Sequence, residues 1–191
     1  MLEFAILEQA ARASIVETRA APAEVTQTPS WARPVTATCI VEEAARQSMD
    51  VLKVLAVLAA ENGRVGQFVR NTNGSYDIGP MQINTIHLPE LARTFGVSAP
   101  TMAQLLAYDG CFNVAVGAYV LRKRTNEASG DFWYGIGRYH SKTEVHSTRY
   151  IYRVRDMMLQ IVKADELATR KQASERLGSS VAANVVAQKG E

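Results

Sequence analysis

Long apolar runs are missing from this chain of 191 residues. Apolar side chains make up 47% of the sequence, yet no run approaches the roughly 18 to 20 uninterrupted residues that a membrane-spanning helix needs. An excess of charge of one sign is missing as well, because the formal net charge is +2. Nucleic-acid-binding proteins usually show a much stronger positive field. We expect a soluble globular protein with no transmembrane segment and no nucleic-acid partner.

Histidine and cysteine are scarce, with three and two copies in the whole chain. His87, His140 and His146 do not share a metal-ligand spacing with cysteines or carboxylates. We therefore predict no metal and no other cofactor. Cys39 and Cys111 each stand at the start of a predicted helix. The residues alone leave open whether they form a bridge or remain two buried thiols.

The two ends of the sequence lack the patterning of a folded domain. Glu3 and Glu8 stand where a secretory signal would carry Lys or Arg, so no ordinary signal peptide is visible. A stretch rich in Pro, Ala and Thr follows, which is typical of a linker. We predict an N-terminal extension at residues 1–35, a single folded domain at 36–164 and a polar C-terminal tail at 165–191. The tail is expected to begin as a helical extension and then become mobile.

Helical periodicity dominates the region between these ends. Asp50 and Asp109 are suitable caps for the apolar segments VLKVLAVLAAENG and CFNVAVGAYVLRKR. Pro89 and Gly96 are expected to open and close a further helix. Additional helices are predicted at CIVEEAARQSM, APTMAQLLAY, DFWYGIGRYHS and STRYIYRVRDMMLQIVKAD. The helix after Asp50 carries so little charge that we expect it to be buried nearly all round.

One segment departs from the helical pattern, FVRNTNGSYDIGPMQI. Asn73 and Gly74 form a strong turn signal between two strands. Pro80 excludes a central strand, because proline has no N–H to donate to a sheet ladder. The sequence therefore predicts a mainly α fold with one small, irregular β-hairpin.

A single carboxylate stands at the end of the most apolar predicted helix. Glu61 follows Val57 and Leu58 at spacings of four and three residues, so it projects from the face that they bury. Burial disfavours the ionised form, and a protonated Glu61 could act as a general acid near neutral pH. Position alone also permits a Glu61 that faces solvent and merely begins the next polar segment.

Several segments of the chain resemble, in order, the blocks of the soluble lytic transglycosylases in the lysozyme superfamily. The resemblance covers about residues 39–158. It implies a goose-type, lysozyme-like helical domain whose β-hairpin faces a catalytic acid across a sugar-binding cleft. The segments that carry it are ENG at 61–63, DIGPMQIN at 77–84, CFNVAVGAYVLRKR at 111–124, RYHS at 138–141 and YIYRV at 150–154.

The chain looks most like the transglycosylases of conjugation and type IV secretion systems. Those enzymes also have a Cys at the start of the first helix, a similar hairpin, a Cys-x-Asn-x-x-x-Gly helix start and a Tyr-His-Ser block. The chain departs from them at Pro80, where Leu is usual, and at Asn62, where Ser is common. The absence of a visible signal peptide is a third departure.

The resemblance implies a role for each matched residue. Glu61 would protonate the glycosidic oxygen between N-acetylmuramic acid and N-acetylglucosamine, and the product would be 1,6-anhydromuramic acid. Tyr139 would orient the Glu61 carboxyl group, or would only pack at the cleft edge. The remaining substrate-binding candidates are Gln82, Met81, His140, Asn62 and Asp77. For Met81, strand alternation offers a position in the core instead.

Two other functions stay open. Asp77 could help water attack the sugar in a hydrolytic muramidase, or it could simply cap the hairpin turn. A glycan-binding scaffold of low activity is the second alternative, although pure binding does not require a desolvated acid.

The resemblance also bears on partners and location. It implies a Cys39–Cys111 disulfide, since the related enzymes are exported, and hence a periplasmic protein whose export route is unknown. The expected partners are peptidoglycan strands and other subunits of a secretion or conjugation apparatus.

Overall fold

Residues 28–187 are described by a computed structural model, which for Ser174 and residues 177–187 gives the backbone only. Most of the predicted N-terminal extension, residues 1–27, lies outside the described part of the chain, as do residues 188–191.

Helices form most of the described chain, with a small antiparallel sheet inserted between the second and third helices. This mainly α architecture confirms the predicted fold class and is compatible with a lysozyme-like helical domain. The helices are α1 (Ala37–Arg46), α2 (Val51–Glu61), α3 (Leu88–Phe95), α4 (Ala99–Tyr108), α5 (Gly110–Glu127), α6 (Phe132–His140) and α7 (Glu144–Ala187). The strands are β1 (Phe68–Arg70), β2 (Tyr76–Ile78) and β3 (Ile83–Asn84), and a short 3₁₀ helix covers Thr85–His87.

The helix ends follow the local chemistry of the sequence. The Asp50 carboxylate accepts from the N–H groups of Leu52 and Lys53, and the Asp109 carboxylate accepts from that of Phe112. These bonds satisfy N–H groups that have no partner within the helix. At the end of α3, Gly96 adopts a φ of 67°, a left-handed conformation that glycine tolerates well.

The sheet is larger than the predicted hairpin, because a third strand joins it. The strands run in the order β1-β2-β3, with Val69 opposite Asp77 and Ile78 opposite Ile83. Pro80 lies in the turn between β2 and β3, outside the ladder, as its chemistry requires. The short β3 strand was not predicted, because two residues give too little pattern to recognise.

Helix α2 lies at the centre of the core, as expected from its low charge. Val54, Ala56 and Val57 are completely inaccessible to solvent. Helices α1 and α7 pack against α2, while α5 packs against α1 and α6. The last residue of α2, Glu61, is therefore carried by a helix with no exposed side chain among its eleven residues.

Asn113 of α5 fixes the turn between β2 and β3. Its side chain is fully buried, and its Oδ1 accepts a hydrogen bond from the Met81 N–H at 2.7 Å. Its Nδ2 donates to the carbonyl oxygens of Ile78, at 2.9 Å, and Leu106, at 2.8 Å. One side chain thus joins the sheet to α4 and α5 and satisfies three backbone groups.

The same turn depends on a close approach at Gly79. Its φ is 70°, and a Cβ at this position would lie 2.3 Å from both Asn113 Nδ2 and the Leu106 carbonyl oxygen. Any side chain here would push the turn away from Asn113. The Gly-Pro pair of the sequence therefore reflects a packing requirement at the base of the sheet.

Cys39 and Cys111 form a disulfide between α1 and α5, with their Cα atoms 5.6 Å apart. This is the pairing that the resemblance implied. The bridge links residues 72 positions apart in sequence, and such a loop corresponds to about 4 kcal/mol of stabilisation in the chain-entropy model. An ion pair from Arg33 to the buried Asp109 ties the preceding segment to the same region.

Helix α7 is much longer than predicted and spans 44 residues without interruption, or about 66 Å at the usual helical rise. It includes the helical extension that the sequence suggested beyond residue 164. Within residues 28–187, no helix is both long and apolar enough to cross a membrane.

Replacing Asn113 tests how strongly the sheet is anchored. Asn113→Ala would leave the Met81 N–H and the Ile78 and Leu106 carbonyl groups buried without partners. Since each such group costs about 1–3 kcal/mol, we expect the free energy of unfolding in urea to fall by about 3 kcal/mol or more. Asn126→Ala, at an exposed position of the same helix, is the control and should change it by less than about 0.5 kcal/mol. Equal effects of the two changes would contradict the anchoring role.

Candidate functional site

A polar cleft of about 500 Å³ lies between the sheet and the helices α6 and α7. One wall comes from the sheet and its loops and consists of Asn71, Thr72, Asn73, Asp77 and Asn84. The opposite wall consists of Tyr139, His140, Ser141 and His146. Glu61 and Gln82 also line the cleft, between the two walls. The dimensions are those of a typical small-molecule or oligomer-binding site.

Glu61 presents its carboxyl group to this cleft because α2 ends there. The next residue, Asn62, is left-handed at a φ of 52°, and its N–H bonds to the Leu58 carbonyl oxygen, which terminates the helix. Asn62 itself is exposed and does not line the cleft. The structure thus gives Asn62 a helix-ending role, and its predicted substrate contact stays a prediction.

Burial raises the pKa of Glu61 from 4.5 to about 7. A hydrogen bond from Tyr150 and the positive charge of Arg153 both act in the opposite direction, while the charge of Asp77 raises the value further. Desolvation exceeds the opposing effects, since the pKa is raised despite them. At neutral pH, about half of the molecules therefore carry a protonated Glu61 that can donate to a ligand.

Tyr150 of α7 holds the carboxyl group in place. Its side chain is only 3% exposed, and its hydroxyl donates a hydrogen bond to Glu61 Oε1. Its ring stacks on that of His140, with the ring centres 4.4 Å apart and the planes within 5° of parallel. The sequence analysis included Tyr150 only within the last predicted helix and did not identify it as a site residue. The only available signal was the YIYRV block.

Tyr139 does not make the orienting bond that the resemblance suggested. Its hydroxyl donates to the Met81 carbonyl oxygen at 2.9 Å. Burial, and then the charge of Glu61, raise the pKa of Tyr139 well above its usual value, so the two side chains are still neighbours. Tyr139 therefore orients the turn of the sheet, and Tyr150 orients the acid.

Met81 and Gln82 are adjacent in the same turn, but the Met81 side chain points into the core and the Gln82 side chain faces the cleft. The Met81 side chain is fully buried and packs so tightly against Gly117 that a Cβ there would lie 2.3 Å from the Met81 sulfur. The expectation of a Met81 sugar contact is thus corrected in favour of the core position. Gln82 faces the cleft from a left-handed backbone, with a φ of 49°. Its Nε2 donates to the Gly79 carbonyl oxygen at 2.8 Å, which fixes the amide beside Glu61.

Asp77 lines the cleft from the middle of β2 and does not cap the hairpin turn. Its Oδ1 accepts a hydrogen bond from Asn84 Nδ2 at 2.7 Å across the strand pair. The turn is stabilised by Asn73, whose Oδ1 accepts from the Ser75 N–H at 3.0 Å. Asp77 is thus a second carboxylate in the cleft, held by its strand neighbour.

The structure brings all three histidines of the sequence to this cleft, His87, His140 and His146. Only His140 was a predicted site residue. Burial is the main cause that lowers the pKa of both His87 and His140, so both are mostly neutral at pH 7. Nowhere in residues 28–187 do three or more His, Cys, Asp or Glu side chains come together in a way that could hold a metal ion.

Together, the fold and the cleft define a mainly helical protein with one desolvated acid in a polar groove. No protein-family model matches the chain. Over 85 residues it is 34% identical to the invasion protein IagB of Salmonella typhimurium, in strains SL1344 and LT2, and of Salmonella typhi. The alignment covers 44% of this chain and 48% of each relative. The chain thus spans about half the length of the curated relatives that it matches.

The raised pKa of Glu61 has a consequence for stability. Between pH 4.5 and 7 the folded protein retains a proton on Glu61 that the unfolded chain has released, so stability falls as pH rises through this window. Above pH 7 the cost reaches as much as about 3 kcal/mol, and below pH 4.5 it disappears. The carboxyl group therefore weakens the fold at neutral and alkaline pH.

Glu61→Gln should accordingly stabilise the protein in a pH-dependent manner. We expect the variant to unfold at a higher urea concentration than the parent at pH 8, and the difference to vanish near pH 4.5. Glu42→Gln, at an exposed position of α1, is the matched control and should show no such dependence. A Glu61→Gln protein that is no more stable than the parent at pH 8 would show that Glu61 is not desolvated.

Proposed function

We propose that the protein is a peptidoglycan lytic transglycosylase. It would cleave the β-1,4 bond between N-acetylmuramic acid and N-acetylglucosamine and form a 1,6-anhydromuramic acid end. The observation that carries this proposal is the Glu61 carboxyl group, whose pKa of about 7 and hydrogen bond from Tyr150 prepare it for proton transfer inside a polar cleft. The ordered blocks that resemble soluble lytic transglycosylases support the same function.

The first chemical step uses Glu61 as an acid. Its proton passes to the glycosidic oxygen, the bond between that oxygen and C1 breaks, and positive charge develops at C1. The Tyr150 hydroxyl occupies Oε1, which leaves Oε2 to deliver the proton. A pKa near the pH at which the enzyme works suits this transfer. A substantial fraction of Glu61 is then protonated, and the proton is still acidic enough to be transferred.

The second step returns the proton to the same residue. The Glu61 carboxylate removes the proton from the muramoyl 6-hydroxyl group, and O6 closes onto C1 to give the anhydro sugar. No water is consumed, and Glu61 is regenerated in its protonated form. The acetamido group of the substrate can stabilise the charge at C1, so a second protein carboxylate is not required, unlike in the usual two-carboxylate scheme.

Three observations support a role in the cell envelope. The 85-residue match is to proteins named for invasion, the disulfide Cys39–Cys111 is typical of an oxidising compartment, and the sequence blocks look most like those of conjugation and type IV secretion enzymes. We propose that the protein acts in the periplasm and opens the wall locally for a secretion or conjugation apparatus.

A hydrolytic muramidase is the second candidate, and one observation favours it. Asp77 lies in the same cleft as Glu61, and its charge raises the Glu61 pKa. In a hydrolase, Asp77 would stabilise C1 or position a water molecule. The hydrogen bond from Asn84 to Asp77 suits a purely structural role of Asp77 equally well. The chemical identity of the reaction product therefore has to discriminate between a muramidase and a transglycosylase. A pure glycan-binding scaffold is disfavoured, because binding alone does not need a desolvated acid.

Digestion of purified peptidoglycan tests the proposal. The parent protein should release muropeptides with anhydro ends, which mass spectrometry finds lighter by one water than hydrolysed ends. Glu61→Gln should lose at least about 100-fold in rate, since the amide cannot deliver a proton. Asp77→Asn should slow the reaction modestly and leave the product unchanged. The control is Glu42→Gln, which should retain the parent rate.

Two results would reverse the conclusion. Hydrated ends from the parent, together with an Asp77→Asn variant nearly as inactive as Glu61→Gln, would identify a muramidase. Glu61→Gln activity within about tenfold of the parent would rule out Glu61 as the acid.

A further inference from the structure

We propose that His146, Arg153 and His140 form an anion-binding corner of the cleft that takes a carboxylate of the peptide stems carried by the glycan. This inference rests on the proposed function and adds a preference: the protein would bind strands that carry peptides more tightly than bare strands.

Helix geometry places the corner beside the acid. His146, Tyr150 and Arg153 follow one another on α7 at spacings of four and three residues, so they share one face of the helix. Tyr150 reaches Glu61 from this face, and His146 lines the cleft. Arg153 thus lies one turn beyond Tyr150 on the same side. His140 approaches from the end of α6, stacked on the Tyr150 ring.

Electrostatic effects agree with this placement. The charge of Arg153 lowers the pKa of both Glu61 and His140, and that of His146 lowers the pKa of His140. Arg153 and His146 are therefore both close enough to His140 to interact with it. The positive charge of Arg153 would attract an anion that enters this part of the cleft.

Arg153 is an exposed arginine whose charge acts on the Glu61 carboxyl group without a direct ion pair between them. In the described part of the chain no carboxylate forms an ion pair with it, whereas the neighbouring Arg155 pairs with Asp156. Asp77 is the acidic group that acts on His140, but one of its oxygens is bound to Asn84. A guanidinium group with adjacent imidazoles can bind a carboxylate through charge-assisted hydrogen bonds.

The opposite wall has different chemistry. Apart from the Asp77 carboxylate, the polar side chains of this wall offer neutral amide and hydroxyl groups to the cleft; they are Asn71, Thr72, Asn73 and Asn84. Such groups suit sugar hydroxyl and acetamido groups, which both donate and accept hydrogen bonds. The glycan would thus lie along the sheet, and its carboxylate-bearing peptides would point toward α7.

Binding measurements can test this without relying on turnover. In the Glu61→Gln background, which should leave the strand intact, calorimetry would compare glycan strands that carry peptides with strands stripped of them by an amidase. We expect about tenfold tighter binding of the peptide-bearing strands, the effect of one charge-assisted hydrogen bond. Adding Arg153→Gln or His146→Gln should reduce this ratio to near one. The ratio is the useful quantity, because any general effect of the added substitution on the cleft applies to both ligands.

Arg155→Gln is the matched control, since Arg155 is an exposed arginine on the same helix that already has a partner. It should keep the tenfold ratio. Equal affinity for both ligands, or a ratio that survives both Arg153→Gln and His146→Gln, would overturn the anion corner but not the proposed function. The anhydro product of the parent protein decides the proposed function separately. Failure of both strands to bind would contradict both.

Discussion

The hydrogen bond from Tyr150 to Glu61 is the interaction on which the site depends. It joins the end of the buried helix α2 to the long helix α7, and it fixes a carboxyl group that burial keeps partly protonated near neutral pH. The same bond stabilises the ionised form, so Tyr150 limits how far desolvation can raise the pKa. Since one residue must both give and take a proton in the proposed reaction, a pKa close to 7 is a compromise between its two roles.

The rest of the fold holds the sheet wall at a fixed distance from this acid. Asn113 binds the turn between β2 and β3 from behind, while Tyr139 binds the same turn through the Met81 carbonyl group. Gln82 is thereby aimed into the cleft as Met81 fills the core beneath it. The disulfide fixes α5, which carries Asn113, to α1. Buried polar contacts thus provide the rigidity that a preorganised site needs.

The sequence predicted those features that depend on local pattern. Helical spacing directed Glu61 toward a buried face, although position alone also permitted a solvent-facing side chain. The residues Asp50, Asp109 and Gly96 correctly marked the starts of α2 and α5 and the end of α3. The sequence did not predict those features in which tertiary packing determines the contacts of a side chain. Tyr139 and Tyr150 both carry hydroxyl groups on predicted helices, and only the packing of α6 and α7 determines which one reaches Glu61. Met81 and Gln82 are adjacent, and the left-handed backbone at Gln82 was not visible from residue types.

A direct titration of Glu61 tests the central claim most directly. The protein would be labelled with ¹³C at the glutamate side-chain carboxyl carbons, and the Glu61 signal would be assigned by its loss in Glu61→Gln. Its chemical shift would then be followed from pH 3 to pH 9. The structure predicts a midpoint near pH 7. A midpoint near 4.5, the ordinary value of a solvated glutamate, would contradict the account of a desolvated acid at the base of the cleft.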